Sequence, residues 1–381
     1  MLERRVLVVD NSRAVTGALN AMRHATGPLR ASGVGEFEWV LPTGSAARAV
    51  LEADGYVTHE LPFVEISRRK KDLLLYLPML LLNGWRLARL ARARGATIIH
   101  LNDFYNLTGY VARLLSWLSG SRLRVITHVR FLPQTQQPLL ARVWRGLAER
   151  FAERVICVSE AVRAYFGPAA RVLTICDPLP GAEQYPAPAR PLARPDNTVR
   201  LLYLGNFIAG KGQNFALEAF AAAYAQAPHL RLHLAGGDMG LAKNQQYRQA
   251  LEAEAQRRGL AEVVTFGSFI ADVEAAIKAA DVVLNFSESE SFSLTCLDAL
   301  YYGTALIASD CGGPRELFED GVSGRLVPNR DVAAMSAAIQ ELGQDAARRA
   351  TFAAAGRAFV RHKFRPAATY ERLGEMYAEA V

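Results

Sequence analysis

Short apolar runs alternate along the chain with longer stretches in which apolar positions return every third or fourth residue. The short runs read as strands covered on both faces, and the longer stretches as amphipathic helices. Strands are expected at 5–9, 36–41, 56–61, 97–101, 123–129, 155–158 and 172–176. A first loop, containing Gly17, precedes a helix reaching about Leu29. Residues 178–197 break the pattern with six prolines and no periodicity, which marks a semi-extended linker. The alternation then restarts, with strands at 199–204, 230–235, 263–266, 282–286, 305–308 and 325–327. Helices at 331–342, 346–362 and 367–380 close the chain. Regular strand–helix alternation predicts parallel sheets covered by helices. The expected architecture is therefore α/β, with two doubly wound Rossmann-like domains, 1–177 and 198–365, facing a cleft. The segment from 367 onward is expected to pack back on the first domain. Ligands of such sheets bind beyond the carboxyl ends of the strands.

The stretch 281–316 carries the densest chemistry. A strand ends at Ser287, a polar loop follows, and Leu294, Leu297, Leu300 and Tyr301 then repeat at helical spacing up to Gly303. A second strand, a Cys311-Gly312-Gly313 turn and a helix opened by Pro314 are expected next. The backbone amides of Phe292, Ser293 and Leu294 would lie free at the helix start, where a phosphate is attracted. Glu290 and Asp298, eight residues apart, cannot bind that phosphate and would suit hydroxyl groups. The same spacing is also that of a solvated loop acid and a surface helix acid.

Charge changes this picture in one respect. Residues 1–195 carry 26 Lys+Arg against 15 Asp+Glu, whereas 196–381 carry 18 against 22. A basic first half suits a phosphate-bearing partner or an anionic surface. Within it, four consecutive cations from Arg68 precede a mostly apolar run with Pro78 inside and Trp85 near its end at Leu90. The run is shorter than the ~20 residues that span a bilayer. It suits a segment lying on an anionic membrane, or else a core helix with a solvated start. Cys157, Cys176, Cys296 and Cys311 form no paired motif, which fits a reducing compartment. The apolar run in MLERRVLVVDN is too short for a signal peptide, so a cytoplasmic protein is expected.

Two glycine loops narrow the chemistry. Gly205-x4-Gly210-Lys211 follows a strand like a phosphate-binding loop of nucleotide triphosphatases, but Gly212 stands where Ser or Thr would hold a metal. Lys211 can still neutralise a diphosphate. The turn 235–240 lacks the Gly-x-Gly-x-x-Gly order of a nicotinamide site. Signatures of zinc proteases and serine hydrolases are missing, as is the Asp-x-Asp of metal-dependent sugar transfer. His100 and His128 each end a first-domain strand, where cleft residues arise, although single buried histidines are also common core residues.

In this order and spacing, Gly205, Lys211-Gly212, Glu290, Asp298, Gly303, Gly312-Gly313 and Glu316 resemble the family-4 glycosyltransferases of GT-B fold. The resemblance covers almost the whole chain and is strongest over 200–328. It implies a retaining, metal-independent transfer from a nucleoside-diphosphate sugar, UDP- or GDP-linked, with no further cofactor and no nucleic-acid partner. It implies that Glu290, His128 and Lys211 are catalytic. Gly17, Gly205, Asn206, Lys211, Phe292, Ser293, Leu294 and Asp298 would bind the donor. Lys211 and the helix start would hold the diphosphate, Asp298 the ribose and Glu290 the donor sugar. A glycan or lipid-linked acceptor at the cytoplasmic face of a membrane fits the basic half. Four positions depart from the family pattern: Asn206 replaces an arginine, Asp298 a glutamate, and Ser291 and Ser293 replace glycines. A catalytically silent binder of sugar nucleotides, or of a partner transferase, is the alternative that Asn206 and Asp298 motivate. Sugar-nucleotide epimerisation on the same fold would want a further carboxylate cluster.

Overall fold

A computed structural model describes residues 4–64, 70–179 and 197–380. Most of the proline-rich stretch, and Arg68 and Arg69 of the basic segment, lie outside the described residues. The chain divides into two compact units, one of residues 1–178 with 366–381 and the other of residues 179–365.

The first unit contains β1 (Arg5–Val9), α1 (Gly17–Ala31), β2 (Glu36–Pro42), α2 (Ala47–Ala53), β3 (Val57–Leu61), α3 (Lys70–Arg94) and β4 (Ile98–Leu101). It continues with α4 (Thr108–Leu118), β5 (Arg124–Val129), α5 (Pro138–Phe151), β6 (Arg154–Cys157), α6 (Glu160–Arg163) and β7 (Val172–Thr174). Its seven strands are all parallel, in the order β3-β2-β1-β4-β5-β6-β7. The second unit contains β8 (Val199–Leu204), α7 (Gln213–Tyr224), β9 (Leu230–Ala235), α8 (Ala242–Arg257), β10 (Val264–Gly267), α9 (Val273–Ala279) and β11 (Val282–Asn285). After these come α10 (Leu294–Tyr301), β12 (Ala305–Asp310), β13 (Arg325–Pro328), α11 (Val332–Gln344) and α12 (Ala346–Lys363). Its six parallel strands run β10-β9-β8-β11-β12-β13. The last helix, α13 (Pro366–Glu379), belongs to the first unit.

Central strands are apolar at nearly every position because helices cover both faces: Val6 to Val9 and Val282 to Leu284 are all buried. In each sheet the strand order reverses beside the first strand, between β1 and β4 and between β8 and β11. Those reversals open a crevice at the carboxyl edge, where ligands of doubly wound folds bind.

Two sequence expectations are corrected. Gly17 is the first residue of α1 rather than part of the loop before it, because Thr16 caps the helix by accepting from the Leu19 amide at 3.2 Å. Pro314 opens only a four-residue 3₁₀ turn, Gly313–Glu316, and no α-helix. The Leu317 amide closes this turn on the Pro314 carbonyl at 3.1 Å, an i to i+3 bond in place of the α-helical one. The basic apolar segment is a single 25-residue helix running to Arg94 and includes Pro78. Among the described residues no helix is long and apolar enough to cross a membrane.

Candidate active site

The second unit's site is built on loops leaving β8, β9, β11 and β12. After β8 the chain turns through Gly205 to Lys211, and Gly212 adopts φ +80° as it starts α7. A Cβ on Gly212 would lie 1.9 Å from the Phe286 carbonyl oxygen, so only glycine lets this loop touch the end of β11. Tyr203 fastens the same junction. Its hydroxyl donates to the Lys211 carbonyl and accepts from the Phe286 amide at 2.9 Å.

The contact brings two of the expected residues together. Lys211 Nζ lies 2.7 Å from Glu290 Oε1, and Ser287 Oγ donates to the same oxygen at 2.8 Å. Burial works against the Lys211 charge, but the Glu290 carboxylate outweighs it and holds the ammonium above the ordinary lysine range. Glu290 is also held through its backbone: its carbonyl accepts from the Gly313 amide at 2.8 Å. A Cβ on Gly313 would lie 2.3 Å from the Ser291 carbonyl oxygen, so the β12 loop needs a glycine there too.

Phe292 is buried and meets Phe364 edge-on, with ring centroids 5.5 Å apart. Ser293 caps α10 from a left-handed backbone, φ +78°. Its Oγ accepts from the Cys296 amide and from Asn285 Nδ2 at 3.0 Å. The backbone conformation explains why glycine suits this position, and the two hydrogen bonds offset the strain of serine. The amides of Phe292, Ser293 and Leu294 donate to no protein group among the described residues, so the start of α10 presents free N–H groups. One turn further, Asp298 is half-buried, and desolvation pushes its carboxyl up to about 7. Among the described residues no side chain or amide hydrogen-bonds that carboxyl group.

Asn206 does not replace the expected cation. Its Oδ1 accepts from the Gly237 amide at 3.2 Å, tying the β8 loop to the β9 loop. Gln213 Nε2 reinforces the turn by donating to the Gly205 and Asn206 carbonyls at 3.1 and 2.9 Å.

Gly17 and His128 lie in the first unit, the other eight expected residues in the second. His128 is buried at the end of β5, and burial and Arg130 hold its imidazole well below the ordinary histidine range. Around it is a polar cluster that sequence reasoning did not assemble. Asn102 Nδ2 donates to Asp10 at 2.6 Å, and Asn102 Oδ1 accepts from Arg130 Nε at 2.7 Å. Arg130 Nη1 pairs with Asp177 at 2.6 Å. Asp103 accepts from the Asn11 amide at 3.0 Å; burial and nearby Asp10 push its carboxyl to about 7. The sequence signal was there in polar residues closing β1, β4 and β5, but their pairing requires the strand order.

Two parallel-sheet Rossmann-like units with this topology define the GT-B class. Solved structures share the fold over nearly the whole chain. The Anabaena protein Alr3699/HepE in complex with UDP and glucose matches with a TM-score of 0.80, at 21% identity over 99% of this chain and 100% of that one. Sucrose-phosphate synthase of Thermosynechococcus elongatus matches with a TM-score of 0.77, at 23% identity over 99% of each chain. Two family models divide the sequence: "Glycosyl transferase 4-like domain" matches residues 16–178 and "Glycosyl transferases group 1" matches residues 188–359. The chain belongs to the family-4 type glycosyltransferases. It is 34% identical to the D-inositol 3-phosphate glycosyltransferase of Thermobispora bispora over 60% of this chain and 55% of that protein. It is 33% identical to the human Alpha-1,3/1,6-mannosyltransferase ALG2 over 38% and 35%. The chain thus spans about half or less of the length of the curated relatives it matches.

Proposed function

We propose that the protein moves a sugar from a nucleoside-diphosphate sugar to an acceptor hydroxyl, with retention of configuration and without a metal ion. The observation that carries this reading is the loop cluster in which Lys211 and Glu290 pair beside the free amides that open α10, with Asp298 unpartnered one turn on. Each group has a task suited to its chemistry. Lys211 and the α10 amides neutralise the diphosphate, including the charge that develops as it leaves. Asp298 accepts from the ribose hydroxyls. Glu290, oriented by Lys211 and Ser287, accepts from hydroxyls of the donor sugar. In a front-face substitution the acceptor oxygen forms the new glycosidic bond on the side from which the diphosphate departs, and the leaving phosphate takes the acceptor proton. The relatives' names and the UDP complex of the Anabaena protein support a sugar-nucleotide donor.

The acceptor in this reading is membrane-associated. The outer side of α3 exposes Leu74, Leu77, Leu81 and Trp85, and the neighbouring α4 exposes Trp117 and Leu118, Trp117 at 70%. α3 packs on α4, and α4 meets α5 through Tyr110 and Phe151. The sequences of the three helices carry ten Lys and Arg against two acids. An apolar, tryptophan-bearing face on strongly basic helices is complementary to an anionic bilayer surface.

The donor half is tested by thermal shift with UDP, GDP, ADP and CMP on the protein and on Lys211→Ala. A ligand at 100 times its Kd adds about 2.7 kcal/mol of stability. One nucleotide should raise Tm, and Lys211→Ala should abolish the rise; no shift with any of the four refutes the donor site. The acceptor half is tested by co-sedimentation with phosphatidylglycerol and phosphatidylcholine vesicles. Capture by the anionic vesicles alone, lost in Leu81→Glu with Trp117→Ser, is expected, and indifference to both vesicles points to a soluble acceptor.

A further inference from the structure

His128 sits at the end of a hydrogen-bonded row whose protons can be assigned. His128 Nδ1 lies 3.3 Å from Arg130 Nη2 and 3.3 Å from His100 Nε2. A guanidinium has donors only, so Nδ1 of His128 must accept. The neutral ring then carries its proton on Nε2. His100 can approach the same Nδ1 only by donating, which puts its own proton on Nε2 and leaves its Nδ1 as an acceptor. Tyr377 Oη lies 2.6 Å from that Nδ1 and donates to it. Burial and Arg130 keep both rings neutral, with His100 pushed down to about 3. Every polar atom in the row is used except one: His128 Nε2, which is buried with no hydrogen-bond partner. A buried N–H without an acceptor is costly, and a ligand oxygen would remove that cost.

We propose that Arg130 is a positioning residue that, backed by His100 and Tyr377, fixes His128 as an Nε2–H donor to an oxygen of the bound substrates, so that His128 is not the base of the transfer. This rests on His128 belonging to the reaction centre. Arg130 is itself held on two sides, by Asn102 at 2.7 Å and by the buried Asp177 at 2.6 Å, so its direction is fixed independently of the histidines.

The experiment is two-bond ¹H–¹⁵N correlation on the full chain labelled with ¹⁵N-histidine, from pH 6 to 8. His128 and His100 should each show a protonated Nε2 and a bare Nδ1 across that range. Replacing Arg130 alone strands the Asp177 carboxylate, so the working variant is Arg130→Met with Asp177→Asn, and Asp177→Asn alone is its control. The double variant should show both His128 tautomers. Its kcat for release of nucleoside diphosphate from the sugar nucleotide should fall at least tenfold, with the donor KM within threefold. Arg130→Lys, which keeps a donor-only cation, should restore the single tautomer. A merely structural Arg130 would lower Tm and leave the nitrogen pattern alone. A proton on His128 Nδ1 in the wild type, or an unchanged pattern in the double variant, overturns the proposal. Full activity in His128→Ala with the nitrogen pattern as expected would instead overturn the placing of His128 at the reaction centre.

Discussion

Asp298 offers a direct measure of what the proposed donor site would cost the free protein. Its carboxyl ionises at 3.8 in the unfolded chain and at about 7 in the fold, because α10 desolvates it and no partner compensates. Between those values the folded state holds the proton more tightly than the unfolded state. Stability is therefore lost as pH rises through this window, and above about 7 the full cost is present. Three units at about 1.4 kcal/mol each set a ceiling of roughly 4 kcal/mol. The carboxylate is only half-buried and keeps some water, so about 1–2 kcal/mol is the expected share. Asp298→Asn removes the ionisation and keeps the shape. Calorimetric melts from pH 4.5 to 8.5 should show the smallest difference between variant and wild type at the acid end. At pH 8 the variant should melt higher, by about 3–6 °C for a unit of this size. Asp103, which also titrates near 7, contributes to both proteins and cancels in the difference. Nucleoside-diphosphate affinity should move the other way, falling about tenfold as a charge-assisted hydrogen bond worth about 1.4 kcal/mol is lost. Parallel melting curves at every pH, or an Asn variant less stable at pH 8, would refute the argument that Asp298 is an uncompensated site carboxylate.

Two further substitutions test how the loops are held. Gly212→Ala puts a Cβ 1.9 Å from a backbone oxygen at a positive φ, so a loss of about 2–4 kcal/mol in urea melts is expected, and a loss below about 0.5 kcal/mol would mean the β8 and β11 loops do not touch. Ser293→Ala keeps the left-handed backbone but removes the α10 cap and the acceptor of the buried Asn285 Nδ2, which should cost about 2 kcal/mol in the same melts; Ser293→Thr, which restores a hydroxyl, should recover part of it.

Strands and helices were legible because the apolar runs of a parallel sheet are unbroken, as at Val282 to Leu284, and because the 3.6-residue period is sustained in α11, where Met335, Ala338, Ile339 and Leu342 are buried. The residues of the proposed donor site come to notice in the sequence through the family spacing, which singles out Glu290 and Lys211. Their pairing was not legible, since it depends on Gly212 meeting the Phe286 carbonyl across two loops. The reach of the helix opened by Pro314 was overestimated because proline fits the first turn of an α-helix and of a 3₁₀ turn alike. The face that α3 exposes could not be read from its composition. It follows from the packing at Gly84, where a Cβ would lie 2.3 Å from Val111 of α4. The row behind His128 was least accessible, because Tyr377 and His100 are 277 residues apart in the chain.

Helix α13 has a further consequence, for the order in which the protein can be made. Leu373, Met376 and Tyr377 are buried in the same core as Val6, Phe37 and Trp39, so the first unit's interior is closed by residues that leave the ribosome only after the whole second unit. At 5–20 residues per second, synthesis of residues 179–365 takes roughly 10–40 s. During that interval the nascent β-sheet of the first unit carries an uncovered apolar strip beside Phe37 and Trp39. The second unit, continuous in sequence, can complete its fold first, and the unit that begins the chain is the one that finishes last.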